Sequence, residues 1–245
     1  MNVLALYDIH GNLDALEAVL ADPRASRADA IVVGGDVVPG AFAPECLSLL
    51  GRHELPVHWI RGNGEREVAE AAANGVDAES LPPDAVAELT AAITAAALDA
   101  DVSAWLGTPP TTVEVDGVLY CHATPRRDDE TLTRIAPDER WAEVLSGVGH
   151  RLVVGGHTHQ QDDRLVGAVR FVNAGSVGLP YEGDSAARWV WIADGIPELR
   201  GTVYDGAAAG RRMLAAGWPD QRSIDAGLTD PVDPMFVTKL FKGID

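Results

Sequence analysis

A chain of 245 residues, 47% of them hydrophobic, has enough sequence to bury a sizeable core as one large domain or two small ones. Its 19 basic and 37 acidic residues leave a formal charge of -18, which excludes DNA or RNA as an extended partner, since a phosphate backbone needs clustered lysine and arginine. Two cysteines, Cys46 and Cys121, are too few for a disulfide framework, and no apolar run approaches a membrane span, so a cytoplasmic protein without membrane contact is expected.

The first half alternates strand-like and helix-like segments. Val3 to Tyr7 reads as a buried strand, with no basic leader before it. Leu13, Leu16, Val19 and Leu20 then recur at helical spacing. Ala30 to Val33 is a second strand, Pro44 to Arg52 a helix with proline in its first turn, and Val57 to Ile60 a third strand. Such a βαβαβ start predicts parallel strands with helices outside them. From Glu65 to Leu106 the chain turns alanine-rich, with Pro82-Pro83 separating a short helix from a longer one between Asp84 and Leu106. This helical excursion reads as a lid, a dimerisation arm or a plain structural layer.

Antiparallel signals follow. Thr111 to Val115 and Val118 to Cys121 flank Asp116-Gly117 and form a hairpin. Arg151 to Val154, Val166 to Val172, Arg188 to Ala193 and Glu198 to Tyr204 read as further strands, and Ala207 to Ala216 as a helix. The tail after Trp218 reads as loop plus one terminal turn. Without an internal repeat or low-complexity linker, residues 1–245 are expected to form a single domain.

Chemistry concentrates in short glycine-flanked segments past the strands. These are Asp8-Ile9-His10-Gly11-Asn12, Gly34-Gly35-Asp36, Arg61-Gly62-Asn63-Gly64, Cys121-His122 and Gly155-Gly156-His157-Thr158-His159. Four of the seven histidines fall within them. Glycine lets a backbone approach a metal without a β-carbon in the way, and loops beyond strand ends are where open α/β sheets bind ligands. Asp8 and His10 stand two residues apart, so one extended turn can aim both at the same ion; His157 and His159 have the same spacing and can split between two ions. Carboxylate, imidazole and amide oxygen together suit two divalent transition metals about 3.5–4 Å apart, a pair built to attack phosphate esters. No nucleophile elbow or phosphate-binding Gly-Lys-Ser/Thr loop is present, which counts against serine hydrolases and nucleotide-driven motors.

The ordered set Asp-x-His-Gly-Asn, Gly-Gly-Asp, Gly-Asn, Cys-His and Gly-His-Thr-His resembles the calcineurin-like metallophosphoesterase superfamily, and within it the small bacterial and archaeal phosphodiesterase branch. Asn173 to Val177 and the Arg211-Arg212 helix are similar to that branch as well. The resemblance implies an α/β fold, a four-layer α-β-β-α sandwich of two mixed β-sheets. It implies one ion held by Asp8, His10, Asp36 and His159, and another held by Asp36, Asn63, His122 and His157. Manganese is the first choice, with iron, zinc, nickel or cobalt as alternatives. The implied activity is hydrolysis of phosphodiesters in a small phosphorylated substrate by metal-activated hydroxide, with Asp36, Asn63 and His122 at the catalytic centre. Monoesterase or phosphoprotein phosphatase activity, or a non-catalytic scaffold like the retromer subunit of this fold, are the alternatives. A homo-oligomer is left open.

Several residues carry two readings. Asn12 caps the first helix or faces the phosphate; Arg61 contacts phosphate or lies on the surface. Cys121 reads as a small buried neighbour of His122. His53, His58 and His150 lack motif context, and Ser176 and Asn173 fit a turn as well as a site. Many superfamily members place a histidine after the asparagine of Gly-Asn, as general acid or phosphate contact. Here Gly64 stands there, which shifts catalysis onto the metals and favours substrates whose leaving group needs little protonation. A Gly64→His graft is the direct probe of a missing acid.

Overall fold

The computed structural model describes residues 1–242. In chain order the first half runs β1 (Asn2–Leu6), α1 (Leu13–Leu20), β2 (Ala30–Val33), α2 (Ala43–Gly51), β3 (Val57–Trp59), α3 (Asn63–Asn74), α4 (Val86–Ala97) and α5 (Ala100–Leu106). The second half runs β4 (Thr112–Val115), β5 (Val118–Cys121), α6 (Asp138–Val144), β6 (Leu152–Gly155), β7 (Gln161–Val166), β8 (Val169–Ala174), β9 (Ala187–Ala193) and β10 (Ile196–Thr202). Helices α7 (Gly206–Ala215), α8 (Gln221–Ile224) and α9 (Pro234–Lys242) complete the order.

Two mixed five-stranded sheets result, ordered β10-β9-β1-β2-β3 and β4-β5-β6-β8-β7. Strands β1, β2 and β3 are parallel, with Leu4 opposite Ile31 and Ile31 opposite Val57, and β9 joins β1 antiparallel. Alternation along β1 separates the layers. Val3, Ala5 and Tyr7 enter the apolar layer between the sheets with Tyr120, Val154 and Val172, while Leu4 and Leu6 join Leu16, Val19, Leu47 and Leu50 under the outer helices. On the far face of the second sheet, Trp141 and Val144 of α6 cover Cys121, Val153 and Phe171. The expected four-layer sandwich is therefore present.

Differences from expectation are local. The Val166–Val172 run is not one strand: Gly167, at φ 60°, turns the chain between β7 and β8. Strand β7 is not expected from the sequence, since Gln161-Asp162-Asp163-Arg164 is polar and mostly charged, as suits a sheet edge. Helix α6 was missed because seven residues, mostly charged, carry too little periodicity. The long helix expected between Asp84 and Leu106 breaks at Leu98 and Asp99. The Glu65–Leu106 excursion forms part of the outer helical layer, with Val68, Ala71, Ala91 and Leu106 in the core. The tail is more ordered than loop and turn, because Val237 and Thr238 of α9 are buried and Thr238 Oγ1 donates to Gln160 Oε1 at 2.7 Å.

Candidate metal centre

The parallel strands of both sheets end in the loops that hold the candidate residues. Asp8 and His10 follow β1, Asp36 follows β2, and Asn63 opens α3 after β3. His122 follows β5, and His157 and His159 follow β6. Five of these side chains grow from left-handed backbone: Asp8 (φ 53°), His10 (46°), Asp36 (53°), His157 (70°) and His159 (57°). Such conformations cost about 1–3 kcal/mol each and persist only where the surroundings enforce them. Here the loops are laced together, by Asp8 N to Gly35 O (3.1 Å), His10 N to Asp36 O (2.9 Å), Val177 N to Tyr7 O (2.9 Å) and Gly178 N to Asp8 O (3.0 Å).

The ligand-type atoms of Asp8, His10 and His159 lie within 4.8 Å of one another, as do those of Asp36, His122 and His157. The two groups share a border. Asp36 Oδ2 is 3.8 Å from His10 Nε2 and 3.4 Å from His122 Nε2. Asp8 Oδ1 is 3.8 Å from His122 Nε2 and 3.5 Å from His159 Nε2.

Imidazole orientation comes from backbone carbonyls. His122 Nδ1 donates to Gly34 O (2.9 Å), His159 Nδ1 to Leu179 O (2.7 Å) and His10 Nδ1 to Pro39 O (3.3 Å). A carbonyl only accepts, so the proton sits on Nδ1 and each neutral ring presents the Nε2 lone pair. His10 Nε2 and His159 Nε2 face each other at 3.1 Å. Asp8 Oδ1, Asn63 Oδ1 and His122 Nε2 are buried without a hydrogen-bond partner. Buried acceptors left this way cost about 1–3 kcal/mol each, and a cation among them removes the cost. The donor set of carboxylate oxygen, amide oxygen and imidazole nitrogen fits divalent transition metals.

Electrostatics point the same way. Burial disfavours the charged form of His122, but the Asp36 and Asp8 carboxylates outweigh it and lift its pKa to about 10. Burial, helped by His122, pushes His157 down to about 4. For Asp36, burial opposes ionisation and the neighbouring His122, His10 and His157 overcome it, holding the carboxyl well below its usual range. Asp8 is lowered as well: burial opposes ionisation, and His159 and His122 together outweigh it. The pocket thus keeps both acids ionised and draws positive charge into a buried position.

Not every residue singled out in the sequence joins the centre. Asn12 is buried as the cap of α1: its Oδ1 accepts from Ala15 N (3.1 Å), and its Nδ2 donates to Gly178 O (2.8 Å) and Tyr204 Oη (3.0 Å). Those bonds leave its amide facing the fold. Arg61 donates from Nη1 to Gly107 O (2.9 Å), tying β3 to the end of α5. Ser176 donates to Asp8 O and Asn173 to Gly156 O, both at 2.7 Å, bracing the loops that carry Asp8 and His157. Cys121 is buried beside His122, and His150 pairs with Glu114 at 2.8 Å away from the centre.

Gly64 is glycine for a steric reason. A β-carbon there would fall on the Val38 carbonyl oxygen, with Pro39 Cδ at 2.9 Å and Asp36 Oδ1 at 3.0 Å, while the Gly64 amide itself donates to Asp36 Oδ1 at 2.8 Å. The Gly64→His graft suggested by the motif alone would displace backbone rather than add an acid.

Sequence reasoning passed over Glu65. It is buried, and its carboxylate accepts from Asp36 N (2.7 Å), Val37 N (2.8 Å) and Gly62 N (2.8 Å). It therefore clamps the Asp36 loop to the start of α3. Burial and the Asp36 carboxylate push its pKa up to about 7 despite these donors. A glutamate three residues into a helix reaching back to the cap amide was the available signal. Tyr181 was also unassigned; its ring stacks on His159 with centroids 5.0 Å apart and planes at 13°.

Comparison with known proteins follows the same lines. A search of curated proteins finds no match. Among solved structures, a metallophosphoesterase from Sphaerobacter thermophilus aligns with a TM-score of 0.75 at 25% identity, covering 93% of this chain and 99% of that one. Hypothetical protein PH1004 from Pyrococcus horikoshii OT3 also gives 0.75, at 17% identity over 93% of this chain and 97% of its own, a likeness of fold alone. The model of the calcineurin-like phosphoesterase superfamily domain matches residues 1–193. With most of its length inside that match, the chain belongs to the calcineurin-like phosphoesterase superfamily.

Proposed function

We propose that this protein is a dinuclear metal-dependent phosphodiesterase acting, as one domain, on a small phosphorylated substrate. The observation that carries the reading is the pair of abutting Asp/His groups with three buried acceptors lacking partners, Asp8 Oδ1, Asn63 Oδ1 and His122 Nε2. Asp8, His10, Asp36 and His159 would hold one ion, and Asp36, Asn63, His122 and His157 the other. Manganese is our first choice on the mixed oxygen and nitrogen donors. When bound, such a pair neutralises charge on phosphoryl oxygens and lowers the pKa of water toward neutrality.

The chain's own residues supply the rest. Carbonyls of Gly34, Leu179 and Pro39 hold three imidazoles in one tautomer, so that each ring in its neutral form keeps its proton on Nδ1 and turns its Nε2 lone pair to the centre. Glu65 and the Gly64 amide fix both ends of Asp36, one at its backbone and one at Oδ1. Because Gly64 has no room for a side chain, no proton donor stands at the position where many relatives carry histidine. That absence favours diesters with good leaving groups over alkyl monoesters.

Elemental analysis followed by hydrolysis of bis(p-nitrophenyl) phosphate with added manganese tests the reading. Two ions per chain and a preference for the aryl diester over alkyl monoesters are expected. A protein that retains no metal, or one that prefers alkyl monoesters, contradicts it. No described helix is long and apolar enough to cross a membrane. A cytoplasmic location is part of the proposal, and fractionation would check it.

A further inference from the structure

Glu67 lies one helical turn beyond Asn63 on α3, and its Oε1 accepts a hydrogen bond from Asn63 Nδ2 at 3.2 Å. Residues four apart share a helix face, so this pairing is built into the helix and needs no distant partner. A carboxamide carries a donor nitrogen and an acceptor oxygen on opposite sides. With the nitrogen taken by Glu67, Asn63 Oδ1 is turned inward, where it is buried without a partner. The next residue, Gly64, donates its amide to Asp36 Oδ1 at 2.8 Å, which sets Asn63 beside the Asp36, His122 and His157 group. Rotated the other way, the amide would direct two N–H groups at a cation. Glu67 is itself braced. Arg66 Nη2 lies 3.9 Å from its carboxylate, and Arg66 Nε donates to Asp128 Oδ2 at 3.1 Å, anchoring α3 to the loop after His122.

We infer that Glu67 is a positioning residue: it holds the Asn63 carboxamide with oxygen inward, as the ion of the Asp36, His122 and His157 group requires. The inference rests on the dinuclear reading above. Glu67 makes no bond to the ion; its effect passes through Asn63, as outer partners of metal ligands commonly act.

Manganese titration of the full chain by calorimetry, with thermal unfolding followed in parallel, tests it. Wild type is expected to take up two ions. Glu67→Ala should keep one and bind the other about 10–100-fold more weakly, and Glu67→Met, of similar length and without an acceptor, should do the same. Glu67→Gln, which retains an acceptor oxygen but no charge, should stay close to wild type and so separate orientation from simple charge attraction. The decisive comparison uses Asn63→Asp, whose two equivalent oxygens have no wrong way round. Adding Glu67→Ala to it should cost no further affinity. Full binding by both Glu67→Ala and Glu67→Met, or an equal loss in the Asn63→Asp background, overturns the inference while leaving two ions in the wild type. A wild type that binds fewer than two ions overturns the dinuclear reading first, and this inference with it.

Discussion

The two sheets bring unlike chemistry to one centre. Loops of the first sheet contribute both carboxylates, Asp8 and Asp36, together with His10 and Asn63; loops of the second contribute only imidazoles, His122, His157 and His159. Alone, the first half would be a buried concentration of negative charge and the second a set of bare nitrogens. Each half also positions the other. The Gly34 carbonyl beyond β2 orients His122, and the His157 amide beyond β6 donates to Asp8 Oδ2 at 2.8 Å. Behind them the sheets meet through an apolar layer in which Tyr7 Oη donates to Val154 O at 3.0 Å. Assembly of the centre is therefore the same event as packing one sheet on the other.

Asp36→Asn strikes that comparison hardest, because Asp36 is the first-sheet charge standing between His10 and His122. Loss of both manganese ions and at least about a hundredfold drop in diester hydrolysis are expected, since even outer-shell partners of metal ligands are worth about 10–100-fold. Metal content and initial rates decide it; unchanged values would show that the halves need no shared carboxylate.

Gly64→Ala tests the join itself. Its β-carbon has nowhere to go between Val38, Pro39 and Asp36, so urea unfolding should reveal a loss of about 1–3 kcal/mol. Stability equal to wild type would mean that the Asp36 loop yields readily.

Glu65→Gln sharpens the account of the first-sheet half. An amide can accept at its oxygen but not at its nitrogen, so part of the Asp36, Val37 and Gly62 donor set loses its acceptor. A cost of about 1–3 kcal/mol in urea unfolding, accompanied by weaker manganese binding, is expected. Lost stability without weakened binding would confine Glu65 to a structural role.

The smallest effect lies in the second-sheet half, at a carboxylate outside the two Asp/His groups. Arg126, with Thr124 and Arg140, outweighs burial and holds Glu130 at about 2, below the ordinary 4.5. Its contribution to stability is complete above pH 4.5 and disappears as pH falls toward 2. Glu130→Gln should lower the melting temperature at neutral pH, and the gap to wild type should close across that acid window. Manganese binding should not change; a gap independent of pH would remove the ionised carboxylate from the explanation.

Much of this protein was legible before folding was considered, and for a local reason. The runs around β1 and β2 announce buried strands through unbroken apolar residues, and Asp116-Gly117 announces a hairpin because both residues take positive φ, 52° and 75°. Each candidate ligand was visible as an acid, amide or imidazole beside glycine at a strand end. What those residues meet was not legible. The bracing role of Glu65, the engagement of Asn12 with Gly178 and Tyr204, and the lack of room at Gly64 depend on segments 25 to 192 positions away. Helix α6 and strand β7 likewise carry little periodicity of their own and are defined by the sheet they cover or extend. Donor types and the order of the loops that carry them were written along the chain, since turn conformation and donor type are properties of a few adjacent residues. Which donors face inward together emerges in the folded chain alone, because it follows from how two sheets pack and from which buried acceptors the packing leaves without a partner.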